Sequence, residues 1–164
     1  MIDLVFKNYT SQNAPGTSFF QNILETAVRE LKLKDKVEAS INLVGEAKIK
    51  ELNKKYRRKD KPTDVLSFPM KSEGLHRPEG AKRLEEPFGY AQGRSNAIAF
   101  DLGDIFICLS IAKNEAKREN ITIKDKLAQL VVHGFLHLSG YNHEKSKKDA
   151  NKMLSLENKI LSKL

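Results

Sequence analysis

The sequence contains one cysteine and no tryptophan among its 164 residues. A single cysteine cannot form an internal disulfide, which is typical of a reducing compartment. Cys108 lies in the strand-like run DIFICL, so we expect a buried structural thiol rather than a nucleophile. No stretch approaches the roughly 18 apolar residues of a membrane-spanning helix, and the start MIDLVFKNYT lacks the features of a secretory signal. These absences predict a cytoplasmic protein with no membrane association and no disulfide partner.

Acidic residues are the scarcer charge, with 21 against 29 basic ones, and the formal net charge is +8. Most of the excess lies in residues 48–61 (KIKELNKKYRRKDK), which contain eight basic residues and only two acidic ones, Glu51 and Asp60. Such a basic patch attracts polyanions, most commonly nucleic acid, although a solvated helix face gives the same pattern. The candidate substrate-binding residues are those at its end, namely Arg57, Arg58, Lys59 and Lys61.

The apolar residues recur with two periods, which predicts an α+β fold in a single domain spanning residues 1–164. Strands are predicted at residues 2–8, 37–44, 64–68 and 103–109, with Pro69 ending the third. About five helices are predicted, of which the first is capped by Thr17 or Ser18 and the next two span residues 46–56 and 110–119. Thr122 begins the fourth, with Asp125 completing a capping box. The fifth runs from about Ser146 to the end, with Leu164 on its apolar stripe. Residues 71–100 follow no period, and we expect a flexible insertion there.

Three of the four histidines fall within the eleven residues HGFLHLSGYNH that begin at His133. His133 and His137 are four residues apart on an apolar helix, so their imidazoles project from one side. Gly140 allows the chain to leave the helix, so that His143 can return toward them. Three neutral imidazoles with an open fourth position are typical of a catalytic zinc site, whereas unrelated core histidines would need separate hydrogen-bond partners. The spacing therefore predicts a metal site at the end of this helix and in the following loop.

The spacing H-x3-H-x5-H is also that of the metzincin protease motif, with one difference. Those proteases carry a glutamate general base after the first histidine, where this sequence has Gly134. Peptide hydrolysis by that mechanism would lack its proton acceptor. The basic patch favours phosphodiester substrates instead, and a hydrolase of peptides or small phosphoesters is the less favoured alternative.

With these motifs assembled, the sequence resembles the YbeY family of rRNA maturation factors, which are bacterial metal-dependent endoribonucleases. HGFLHLSGYNH and KMLSLENKIL resemble the family's metal motif and the helix after it, and YRRKDKPTDVLSFP and LGDIFIC resemble its two upstream motifs. The resemblance implies a mixed sheet, one zinc ion per chain on the three histidines, and cleavage of single-stranded RNA. It also implies a role in small-subunit rRNA processing and ribosome quality control, with the ribosome as partner.

The resemblance further implies catalytic roles for Arg57, at the family's functionally important arginine, and for His133, the first histidine of its metal motif. A guanidinium can bind a phosphate bidentately and stabilise the charge that builds on it. Asn142 departs from the family, which usually has aspartate before the third histidine, and so does the insertion. For Asp64 and Asp104 we expect structural roles at strand ends. The alternative function is a non-catalytic, RNA-binding ribosome-assembly factor with a structural zinc.

Overall fold

In the computed structural model, residues 1–70, 100–143 and 146–164 are described. This part of the chain contains four strands and five helices, which confirms the predicted α+β class. The strands are β1 (Ile2–Asn8), β2 (Val37–Val44), β3 (Val65–Pro69) and β4 (Phe100–Cys108). The helices are α1 (Thr17–Glu30), α2 (Glu46–Arg57), α3 (Leu109–Glu119), α4 (Ile123–Leu138) and α5 (Lys147–Leu161). The expected insertion at 71–100 lies outside the described residues except for Phe100, which begins β4.

The four strands form one mixed sheet in the order β1-β2-β4-β3. β1 and β4 both run parallel to β2, while β3 pairs with β4 in the antiparallel direction. An irregularity in the register of β2 and β4 lies beside Gly103, whose φ of 117° favours glycine. A Cβ at this position would overlap the carbonyl oxygen of Phe68 on β3. Gly103 therefore allows β3 to pair closely with the irregular part of β4.

The two faces of the sheet are covered by different helices. The main core joins alternate residues of the strands, such as Ile41 and Ile105, to α1, α4 and α5. A smaller cluster on the other face joins Leu66 and Cys108 to Ile49 and Leu52 of α2. Helix α4 lies at the centre, in contact with α1, α3, α5, β3 and β4. The helix that carries two of the histidines is therefore fixed on several sides.

Several predicted boundaries were wrong by a few residues. Gly16, not Thr17 or Ser18, is the N-cap of α1, and no side chain caps that helix. Strand β4 ends at Cys108, and Leu109 begins α3 with a side chain that is fully buried in the main core. Pro69 is the last residue of β3 and does not stop the strand before it. An edge strand tolerates proline because only the N–H donor is missing. Leu164 lies beyond the end of α5 and is 46% exposed, so it is not part of the apolar stripe.

Cys108 is buried, as the sequence predicted, and its Sγ lies 3.4 Å from the Ser110 hydroxyl. None of the helices in the described ranges is both long enough and apolar enough to cross a bilayer.

Candidate metal centre

Helix α4 sets the direction of the first two histidines. It begins with the predicted capping box, in which the Thr122 hydroxyl accepts a hydrogen bond from the Asp125 N–H and the Asp125 carboxylate accepts one from the Thr122 N–H. Its apolar residues after Ile123 are buried in the core, whereas His133 and His137 are half-buried at one edge. One turn apart, the two rings stand 4.7 Å from each other between centroids.

The turn after α4 brings the third histidine to the other two. Gly140 has a φ of 96°, in the left-handed region that glycine accepts, and the Tyr141 N–H donates to the Leu136 carbonyl at 3.0 Å. The exposed His143 ring then lies 5.2 Å from His133 and 5.1 Å from His137 between centroids. One ring nitrogen from each histidine lies within 4.8 Å of the others, so this group could hold a metal ion.

The Nδ1 atoms of the two helical histidines both face hydrogen-bond acceptors. His133 Nδ1 lies 2.6 Å from Oε1 of Glu157 on α5, and His137 Nδ1 lies 3.0 Å from the carbonyl oxygen of Tyr141. A carbonyl and an ionised carboxylate can only accept, so each Nδ1 carries the proton. In a neutral imidazole the other nitrogen then keeps its lone pair. Both Nε2 atoms are therefore prepared to act as metal ligands.

The distance between these lone pairs fits a shared cation. His133 Nε2 and His137 Nε2 lie 3.1 Å apart, and with both rings in the Nδ1–H form neither can donate to the other. A cation between them removes this conflict. Nitrogens bound to one tetrahedral zinc at about 2.0–2.1 Å are roughly 3.3 Å apart, close to the observed spacing. The three imidazoles thus suit zinc, although imidazole sites also accept nickel, copper or iron.

A cleft of about 680 Å³ connects this site to the end of α2. The three histidines line it together with Arg57, the last residue of α2, and Asn142. Strand β3 contributes one wall, and Glu157 and Leu154 of α5 contribute another. An arginine and three potential metal ligands, far apart in sequence, therefore share one cleft.

The other basic candidates lie outside the residues that line this cleft. Arg58 has a left-handed backbone with a φ of 56° and ends α2, and Lys59 and Lys61 follow it as exposed residues. The buried Asn53 fixes this segment, because its side-chain amide donates to the Lys61 carbonyl at 2.7 Å. The three cations thus form a surface beside the cleft rather than part of its lining.

Part of the basic window is neutralised within α2 and the segment after it. Lys54 and Lys50 lie 3.1 and 3.6 Å from the Asp60 carboxylate. The hydrogen bond from Lys54 is the main cause that lowers the pKa of Asp60 below its ordinary value. Asp60 therefore stays ionised at neutral pH and offsets some of the positive charge.

Asp64 and Asp104 occupy different surroundings. Asp64 Oδ1 accepts hydrogen bonds from the Thr63 hydroxyl and the Val65 N–H, at 3.0 and 2.9 Å, and the residue also lines the cleft. Asp104 lies inside β4, not at the strand end that the sequence suggested, and accepts a hydrogen bond from Ser40 on β2. Asp104 thus joins two strands.

Two further residues define what the site can do. Gly134 is buried and faces Ile105 of β4, so the position of the metzincin glutamate points into the core here. Burial raises the pKa of Tyr141, which lines the cleft, above its ordinary value of 10.0. Its phenol therefore stays protonated at neutral pH and can donate a hydrogen bond but cannot act as a base.

The sequence interpretation did not include Glu157. The signal that could have revealed it is its place on α5, directly after Leu156 and between the buried Met153 and Ile160. A carboxylate at the edge of a buried stripe needs a partner, because burial of an unpaired charge is costly.

Comparison with known proteins gives one family. The family model described as endoribonuclease YbeY matches residues 6–164. Endoribonuclease YbeY of Sulfurihydrogenibium sp. (strain YO3AOP1) is 40% identical over 146 residues, which cover 89% of this chain and 82% of that protein. The corresponding Aquifex aeolicus protein is 39% identical over 140 residues, which cover 85% of this chain and 78% of that one. A solution structure of a Thermotoga maritima protein is similar with a TM-score of 0.57 and 29% identity, and the match covers 98% of this chain and 87% of that one.

Proposed function

The chain belongs to the YbeY family of metal-dependent endoribonucleases, and we propose that it uses zinc to cleave single-stranded ribosomal RNA in the cytoplasm. In this proposal it acts on small-subunit rRNA during maturation and in ribosome quality control, with ribosomal subunits as partners. The observation that carries the proposal is the cleft that the three histidines share with Arg57.

The metal would be held by His133, His137 and His143, one ion per chain. When bound, zinc supplies Lewis-acid chemistry, since it polarises phosphoryl oxygens and lets water ionise near neutral pH. Support for an open, reactive site comes from the exposure of His143 and from the composition of the cluster, which among the described residues is three histidines. A closed structural site would need a fourth protein ligand.

Arg57 would bind the scissile phosphate. Its guanidinium can donate two parallel hydrogen bonds to phosphate oxygens and stabilise negative charge that develops there. Arg58, Lys59 and Lys61 would contact the RNA backbone on either side of the cut, since they lie on the surface beside the cleft. A single strand suits the site because its unstacked nucleotides can enter a cleft, whereas a duplex presents mainly its backbone and grooves.

The test compares purified wild-type protein with His133→Ala and Arg57→Ala on a labelled single-stranded rRNA precursor and on the same RNA annealed to its complement. Arg29→Ala is the control, because it removes one positive charge from an exposed residue of α1, away from the cleft. We expect wild type and control to cut the single strand, no cleavage by His133→Ala, and a loss of about 10² to 10³ in rate for Arg57→Ala. Equal cleavage by wild type and His133→Ala would refute the proposal.

Removal of the metal separates this function from the alternative assembly factor with a structural zinc. We expect EDTA to abolish cleavage while the circular dichroism spectrum and RNA binding persist, and zinc to restore cleavage. If EDTA instead unfolds the domain and the wild type never cuts RNA, the assembly factor is the better description. Elemental analysis of the protein as purified identifies the metal, and an ion other than zinc would correct the cofactor.

A further inference from the structure

The two helical histidines are oriented by groups of different kinds. His137 Nδ1 faces a main-chain carbonyl, which no substitution at Tyr141 removes. His133 Nδ1 faces the Glu157 carboxylate at 2.6 Å, a short distance typical of a charge-assisted hydrogen bond. The side chains are 32% exposed for His133 and 19% for Glu157, so water screens this pair less than a surface ion pair. The contact is therefore strong, and it depends on one replaceable side chain.

The position of Glu157 is set by the packing of α5. Met153 and Ile160 are 1% and 0% exposed in the main core, and the Ser146 hydroxyl caps the start of the helix by accepting from the Asp149 N–H at 3.1 Å. The two apolar side chains anchor α5 in the main core, and the cap fixes where the helix begins. The carboxylate is therefore delivered to the ring by the fold.

We propose that Glu157 is a positioning residue for the metal, a role that rests on the proposed function of the three-histidine site. It fixes His133 as the Nδ1–H tautomer, so that the Nε2 lone pair points at the cation, and it adds one negative charge next to a site whose ligands are neutral. Residues that orient metal-bound histidines in this way change metal affinity by about 10- to 100-fold when removed. Glu157 touches neither the substrate nor the metal in this role.

The experiment measures zinc affinity without RNA. Full-length wild type, Glu157→Gln, Glu157→Ala and the control Glu25→Gln compete for zinc with a chromophoric chelator. Glu25 is an exposed carboxylate on α1 that accepts a hydrogen bond from Gln21, so its substitution changes the net charge as Glu157→Gln does. We expect wild-type affinity for Glu25→Gln and a loss of about 10- to 100-fold for Glu157→Ala. Glu157→Gln should lie between them, because its amide oxygen still accepts from Nδ1–H but carries no charge.

A second measurement separates positioning from a purely structural role. Heteronuclear NMR of the histidine rings reports which nitrogen carries the proton, and we expect His133 to change from one Nδ1–H tautomer to a mixture in Glu157→Ala, while His137 is unchanged. The inference would be overturned if both Glu157 variants kept the wild-type zinc affinity and the wild-type His133 tautomer. It would also be overturned if the variants were less stable without metal but bound zinc with normal affinity once folded. Wild type that binds no zinc would contradict the proposed function itself. Wild type that binds zinc as tightly as the variants would contradict only the role of Glu157.

Discussion

Gly134 predicts a measurable coupling between α4 and β4. A Cβ built at this position would lie 3.0 Å from Cγ2 of Ile105 and 3.2 Å from both Cγ1 and Cδ1. Helix and strand therefore approach so closely that a methyl group would press on all three outer carbons of one branched side chain. Ile105 is fully buried, so it has little room to yield.

Two opposing free energies decide the effect of Gly134→Ala. Alanine is favoured over glycine in a helix interior by about 1 kcal/mol, whereas overpacking a core costs about 1–3 kcal/mol. We therefore expect a net destabilisation of about 0–2 kcal/mol in the wild-type background. Ile105→Ala by itself should cost about 2–5 kcal/mol. In that variant the methyl group added at position 134 no longer contacts the missing side-chain carbons, so only the helix preference for alanine, about 1 kcal/mol, remains. The sign should reverse, with a coupling of about 1–3 kcal/mol.

The assay is urea denaturation of the four proteins in excess EDTA, so that metal binding does not contribute to the free energy of unfolding. Gly45→Ala, at the N-cap of α2, is the control for additivity, because nothing lies within 4 Å of a Cβ at that position. Its effect should be the same with and without Ile105. If the two substitutions at 134 and 105 are additive within about 0.5 kcal/mol, the close contact is not present in solution and the reasoning fails.

Two further predictions concern charges. Lys126 Nζ lies 2.7 Å from Glu119 and 3.1 Å from Glu115. Burial alone would lower the pKa of Lys126, but these carboxylates raise it above the ordinary 10.5. Lys126→Met should therefore lower the free energy of unfolding by about 1.5–3 kcal/mol. This stabilisation is complete below pH 10.5 and is lost as the pH rises through the higher folded pKa, so wild type and variant should converge in alkaline denaturation; a constant difference would contradict the assignment. Lys59→Ala combined with Lys61→Ala should lower the slope of log affinity for single-stranded RNA against log salt by about 1.4, if each contacts one phosphate. An unchanged slope would show that neither lysine contacts an RNA phosphate.

Local periodicity predicted the elements because most of them follow from neighbouring residues. In β2 the apolar residues alternate, as a half-buried strand requires, and in α4 they recur at helical spacing. The structure has a strand and a helix at these two places. The errors arose where long-range contacts decide. Leu109 is apolar and continues the apolar run of the strand, so it was predicted there, but it begins α3 with its side chain buried in the main core.

The grouping of the three histidines was predictable for the same local reason, since H-x3-H on a helix and a glycine turn bring three rings together within eleven residues. Arg57 required the family resemblance, because nothing in residues 48–61 indicates which cation reaches the cleft. Glu157 was not predicted at all. Its contact with His133 spans 24 residues and depends on the angle at which α5 packs on α4, which no periodicity encodes.

The position of β3 explains why residues from both faces of the sheet can meet in one site. Helix α2 covers one face and α4 the other, so a central strand would keep Arg57 and the histidines apart. β3 is the last strand in the order β1-β2-β4-β3, and its residues Val65–Pro69 line the cleft between the two helices. Among the described residues the sheet ends there, and side chains from α2 and α4 line the cleft beside it. The edge position of β3 is therefore a condition for the cleft, because a further strand beside β3 would occupy the space that Arg57 and the three histidines line.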